Sequence, residues 1–158
     1  MSIFINALVA LLSTFMAASA AFAQINYTQV KVDDPWVRAT VAQQTSTGAF
    51  MLLTAKSDSK LVGAASPVAE HVELHKMTME DDIMKMRQIP ELELAAAEQV
   101  ALKPGGYHIM LINLKNQISE GNVIPMTLTF EDHVGNRTQM QIQATARSLH
   151  GGHSNHHK

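Results

Sequence analysis

Short apolar runs with a period of two, each closed by turn residues, recur along this chain and leave little choice of architecture. Residues 27–32 alternate and stop at Asp33-Asp34-Pro35. Residues 36–41 form a second short piece, and 43–48 a polar connection. The run 49–55 (AFMLLTA) has strand length, and 61–65 is bounded by Ser66-Pro67. In 69–77, His71, Glu73, His75 and Met77 share one face while Val72, Leu74 and Lys76 share the other, because side chains two apart in a strand point the same way. The acidic Glu80-Asp81-Asp82 reads as a hairpin loop, residues 83–89 as the return strand, and Pro90 as its end. Residues 91–100 are ambiguous: they hold helix formers, yet Leu92 and Leu94 alternate. Pro104-Gly105-Gly106 is a strong turn signal. It precedes a strand at 107–114, and 124–130 with 138–145 form a last hairpin. About eight short strands, with turn signals roughly every 8–12 residues, predict an all-β antiparallel sandwich or barrel.

The ends read differently. Residues 3–22 are uncharged and mostly apolar and lead to Ala21-Phe22-Ala23, which predicts a secretory signal peptide over 1–23, cleaved before Gln24. An uncleaved membrane anchor is the alternative, since the stretch is long enough to span. Residues 24–147 have the length of one domain. Residues 148–158 (SLHGGHSNHHK) are too polar and Gly-rich to pack and read as a disordered tail. A formal net charge of −2 without a basic stripe argues against nucleic-acid binding. The expected product is a monomer in the periplasm, free of the membrane once cleaved.

The chemistry-bearing residues are His75, Met86, His108 and Met110, spaced H-x10-M-x21-H-x-M in a chain with ten methionines and no cysteine. Thioether sulfur is a soft ligand that selects Cu(I), and imidazole suits copper as well. The lack of cysteine removes disulfides, thiol nucleophiles and the thiolate that a blue-copper electron-transfer centre requires. Parity puts His75 with Met77, Met84 with Met86, and His108 with Met110. If Tyr107, Ile109 and Leu111 face the core, His108 and Met110 point away from it. A hairpin turning over residues 78–82 brings His75 near Met84 and Met86.

The same spacing, the segment Val72-Glu73-Leu74-His75-Lys76-Met77 and the stretch LKPGGYHIML at 102–111 resemble the periplasmic copper chaperones of the PCu(A)C family. Trp36-Val37-Arg38-Ala39-Thr40 and Thr47-Gly48-Ala49-Phe50 resemble that family's opening strands. The likeness covers residues 32–146. It implies a cupredoxin-like Greek-key β-barrel holding one Cu(I) on His75, Met86, His108 and Met110. It also implies delivery of that copper to the copper-site subunit of cytochrome c oxidase or to its assembly factors.

Several residues have plainer readings beside these. Met51, Met126 and Met140 read as core filler. Met77, Met79 and Met84 read as the apolar rim of the site, with accessory thioether ligands as the alternative. His71 lies four strand residues from His75, roughly 13 Å, and reads as outside the coordination sphere; His133 reads as a surface turn residue. In the tail, His150, His153, His156 and His157 stand without a methionine, a set suited to Cu(II) rather than Cu(I). A copper oxidase or reductase is the enzymatic rival, disfavoured by the lack of a three-histidine array with a carboxylate. A non-catalytic β-sandwich assembly module with incidental metal binding is the other.

Overall fold

The structure, a computed structural model, describes residues 29–148. The segment read as a signal peptide and the four tail histidines lie outside the described residues. Ten strands follow in chain order: β1 (Val30–Arg38), β2 (Ser46–Ala55), β3 (Ser59–Ala65), β4 (Ala69–Glu80), β5 (Ile83–Gln88), β6 (Leu92–Leu94), β7 (Gln99–Leu102), β8 (Tyr107–Leu114), β9 (Val123–Asp132) and β10 (Arg137–Arg147). Among the described residues there is no helix. The all-β class expected from the alternation is what forms.

The strands make one ladder in the order β5-β4-β8-β7-β2-β1-β10-β9-β3-β6, with β8 also paired to β2. The count exceeds the expected eight because the ambiguous stretch after Pro90 resolves into β6 and β7, separated by Ala97 in the left-handed region (φ 62). Asp33-Asp34-Pro35 does not end a strand. It sits inside β1 as an irregularity between Asp33 and Trp36, with Asp34 at φ 47, and the strand resumes on β2 beyond it. A bulge of this kind bends a strand without ending its pairing.

Two pairings are parallel, not antiparallel as expected. β1 runs parallel to β10 through Trp36, Val37 and Arg38. β7 and β8 are parallel at Leu102 and Tyr107, for a geometric reason. β7 pairs antiparallel with residues 51–54 of β2, and β8 pairs antiparallel with residues 46–49. Both therefore share a direction and lie end to end along β2. Lys103 to Gly106 make the jog between them, with Gly105 at φ 80.

Parity then sorts the side chains. Ala49, Met51, Leu53 and Ala55 of β2, Ile109 and Leu111 of β8, and Leu74 of β4 enter one apolar cluster with Leu61 of β3, Leu92 and Leu94 of β6, and Leu128 and Phe130 of β9. Strands from the two ends of the ladder contribute to a single core, so the sheet must curl to enclose it. Met51 and Met126 are buried there and Met140 packs against it, as core filler does. The opposite face of β5, β4, β8 and β2 is left to carry the candidate site.

Candidate metal centre

The hairpin of β4 and β5 turns over two residues only, Asp81 (φ 50) and Asp82 (φ 61). Positive φ at both central positions is the type I′ geometry that matches strand twist. The turn is tighter than the five-residue loop expected from the sequence, and the register changes accordingly. Met86 faces Met77, Met84 faces Met79, and His75 faces Gln88. On the other edge of β4, His75 pairs directly with His108, and Glu73 with Met110. Residues opposite one another in register share a face, so His75, Met77, Met86, His108 and Met110 all rise from the same side of three adjacent strands.

His108 is the centre of the group. Its ring carbons and nitrogens leave the core face, as parity predicts, yet the residue is only 7% exposed. Met86, 48% exposed, reaches over β4 to place Sδ 3.1 Å from His108 Nε2; the two strands are separated by two interstrand spacings, roughly 9.5 Å. The expectation that His108 points away from the core is met, but it is covered on its own side by the hairpin and by Phe50, whose ring centroid is 6.4 Å away. Phe50 is held by Trp36, 4.4 Å between centroids, and by the Arg38 guanidinium at 5.8 Å. Gly48 makes room for that ring: a Cβ there would sit 2.7 Å from Phe50 Cζ.

The imidazole tautomers follow from their partners. A carbonyl can only accept, so His108 Nδ1–H donates to the Gly106 carbonyl at 3.0 Å. The Met77 amide donates to the same oxygen at 3.2 Å. Burial holds the His108 pKa below its ordinary 6.5, against the raising effect of the Gly106 carbonyl, with nearby His75 and Arg38 adding to the lowering. The ring is neutral at neutral pH, and its Nε2 lone pair is directed at the Met86 sulfur. With Nδ1–H given to the carbonyl, Nε2 is the nitrogen that stands 3.1 Å from the Met86 sulfur, and both are groups that can ligate a soft cation.

His75 has a ring centroid 5.8 Å from that of His108. A carboxylate oxygen accepts, so His75 Nε2–H donates to Glu73 Oε2 at 2.7 Å, and Nδ1 is the ring nitrogen left over. That Nδ1 is buried and has no hydrogen-bond partner, a state that costs about 1–3 kcal/mol. Carboxylate–imidazole pairs of this kind orient metal-ligating histidines and raise their basicity. Glu73 was visible in the sequence only as a residue sharing a face with His75; its role depends on a rotamer that spacing does not encode.

Met77, Met86, His108 and Met110 line one open cleft of about 330 Å³ together with Arg38, Phe50 and the Pro104-Gly105 turn. Met77 is part of the cleft wall, while His75 is not among its lining residues. Met84 does not reach it; it lies beyond, paired with Met79, and is 46% exposed. His71 is exposed on β4 opposite Ile112, and His133 sits in the turn after β9; neither joins the group. Among the described residues no three His, Asp or Glu side chains converge on a point. The side chains that do meet on this face are thioether and imidazole.

A family model described as "Putative lipoprotein LpqE-like" matches residues 30–144. A curated protein of Leifsonia xyli subsp. xyli (strain CTCB07), also named as a lipoprotein, is 31% identical over 104 residues. The match takes in 65% of this chain, and the chain spans 63% of that relative's length. Among solved structures, the solution structure of CuI-DR1885 from Deinococcus radiodurans is 30% identical, with a TM-score of 0.57 over 83% of this chain and 85% of that one. The apo form of DR1885 is 28% identical with a TM-score of 0.56, over 93% and 97%. The copper-bound PCuAC domain from PmoF2 shares the fold at a TM-score of 0.61 and 24% identity, over 76% and 93%. The cupredoxin-like β fold expected from the sequence accords with these neighbours.

Proposed function

The chain belongs to the LpqE-like family, and from that premise we propose that it is a copper chaperone that carries Cu(I) on His75, Met86, His108 and Met110. The observation that carries the reading is the 3.1 Å approach of the Met86 sulfur to the unprotonated nitrogen of His108. Each is a ligand that Cu(I) accepts, and they lie in a cleft that Met110 also lines. CuI-DR1885, 30% identical to this chain, is a Cu(I)-bound protein, which supports the same ion here.

Copper in this account is cargo. Neutral thioethers on an exposed edge hairpin give an incoming partner's ligands a side from which to replace Met86 while His108 and Met110 still hold the ion. The recipient we propose is the copper-site subunit of cytochrome c oxidase or an assembly factor for it. Binding and hand-over need no bond made or broken in a substrate, so the protein acts without catalysis. The tail histidines His150, His153, His156 and His157 are proposed to take Cu(II) separately. The lipoprotein names of the family and of the relative support export to the envelope, and we place the protein in the periplasm. These 158 residues contain no cysteine, so no thiol within them can carry a lipid.

The test is a Cu(I) competition titration against a chromophoric chelator, followed by mixing the loaded protein with the soluble copper-site domain of the oxidase. One tightly held Cu(I), lost in Met86→Ala combined with Met110→Ala and transferred to the acceptor, is the expected result. Undiminished Cu(I) binding in that double variant overturns the site, and copper retained against the acceptor overturns the destination.

A further inference from the structure

Met79 and Met84 form a pair that the central cluster does not use. They face one another across the hairpin one step outward from the Met77–Met86 pair, on the same face of the sheet. Both are exposed, Met79 at 63% and Met84 at 46%. Residues directly opposite in an antiparallel ladder hold their Cβ atoms about 4.5–5.5 Å apart. Two flexible thioether arms at that spacing can close on one ion between them. Among the described residues the pair stands at an open edge: every residue of β5 is exposed, and β5 ends the ladder.

The back of the hairpin shows that this face is not merely an unfilled one. Glu80 receives Arg87 Nε at 2.5 Å and Arg87 Nη2 at 2.6 Å, with Lys85 Nζ at 3.2 Å. The charged side chains are thus gathered on the reverse, and the register of the methionine face is held from behind. An edge strand is ordinarily protected by charges facing solvent. Here one face of the edge carries charge and the other carries Met84 and Met86, followed by the uncharged Gln88 opposite His75, with Asp81 and Asp82 at the tip supplying negative potential toward a cation.

We propose that Met79 and Met84 form an outer, two-thioether Cu(I) site, through which the ion enters and leaves the inner cluster by way of Met77 and Met86. The inference rests on the Cu(I) reading of the inner cluster. With two neutral ligands and full exposure, the outer site binds more weakly than the inner one and fills second. Transfer is ligand exchange alone: Cu(I) keeps its charge and oxidation state as one thioether replaces another along the ladder.

The experiment uses the full chain carrying 13C-methyl methionine, titrated with Cu(I) under anaerobic conditions. Each methyl resonance reports its own site, so copper on the tail histidines does not interfere. The first equivalent is expected to shift Met86 and Met110, and the next to shift Met79 and Met84. In Met79→Leu combined with Met84→Leu, which keeps apolar bulk on exposed positions, inner-site affinity should stay within about twofold. Loading from a Cu(I)–chelator complex, followed by stopped flow, should slow by tenfold or more. Met79 and Met84 resonances that never move, or an unchanged loading rate in the double variant, overturn the outer site. Failure of Met86 and Met110 to shift at the first equivalent overturns the inner site itself, a result separable from the other two.

Discussion

The decisive residue-scale contact is between Glu73 and His75. The carboxylate fixes which imidazole nitrogen is free and sharpens its donor strength. Glu73→Gln keeps the shape and an acceptor oxygen but removes the charge. Cu(I) affinity measured by chelator competition should fall about 10–100-fold, as loss of such outer partners does elsewhere, with stoichiometry kept at one. An unchanged affinity would show the contact to be incidental. His108 supplies a second prediction. Its pKa is lower folded than unfolded, so the unfolded chain binds more protons over the interval below about 6.5. Its contribution to stability is complete above that value and is lost as pH falls through the folded pKa. Urea unfolding midpoints should therefore decline from pH 7.5 to 5.5, and decline less steeply in His108→Leu. The His-x-Met pair and its spacing along the chain from Met86 were legible in the sequence because ligand type and spacing are written there; that β8 lies beside the hairpin was not. The carboxylate partner and the Phe50 cover were not, because they depend on how strands neighbour one another.

At the scale of the element, the β4–β5 hairpin decides which methionine does what. A two-residue turn puts Met86 opposite Met77, where a five-residue loop would have put another residue there. The sequence marked the loop by its acids but not its length, since Asp tolerates the left-handed region as well as an open loop. Asp82→Val tests this. A β-branched side chain at φ 61 should cost about 1–2 kcal/mol. Hydrogen exchange should quicken at the amides of β5 and the outer half of β4, while Ile109 and Leu111 in the core keep their protection. Uniform loosening of both would mean that the hairpin is not an independent unit. Gly48 is the other element-scale device: it leaves a strand position bare so that Phe50 can lie across it beside His108. Gly48→Ala should push the ring aside and raise the exposure of His108, seen as a histidine pKa returning toward 6.5 by NMR titration.

Across the whole molecule, one curled ladder separates two tasks. The enclosed face is apolar and continuous from β3 and β6 to β8 and β4, so it sets stability. The outer face of β5, β4, β8 and β2 carries the thioether and imidazole side chains, set apart from that core. Alternation revealed the class and most strand positions, because burial on one face is a local pattern. It concealed β6, β7 and the parallel pairings, because a strand of three or four residues has too few periods to read and direction is set by distant partners. The central claim is that thioether and imidazole meet on this outer face around one Cu(I). X-ray absorption at the copper edge of the stoichiometric Cu(I) complex tests it most directly. A coordination shell containing both sulfur and nitrogen is predicted, with the sulfur contribution lost in Met86→Leu combined with Met110→Leu. A shell of nitrogen and oxygen alone in the unaltered protein would contradict the account.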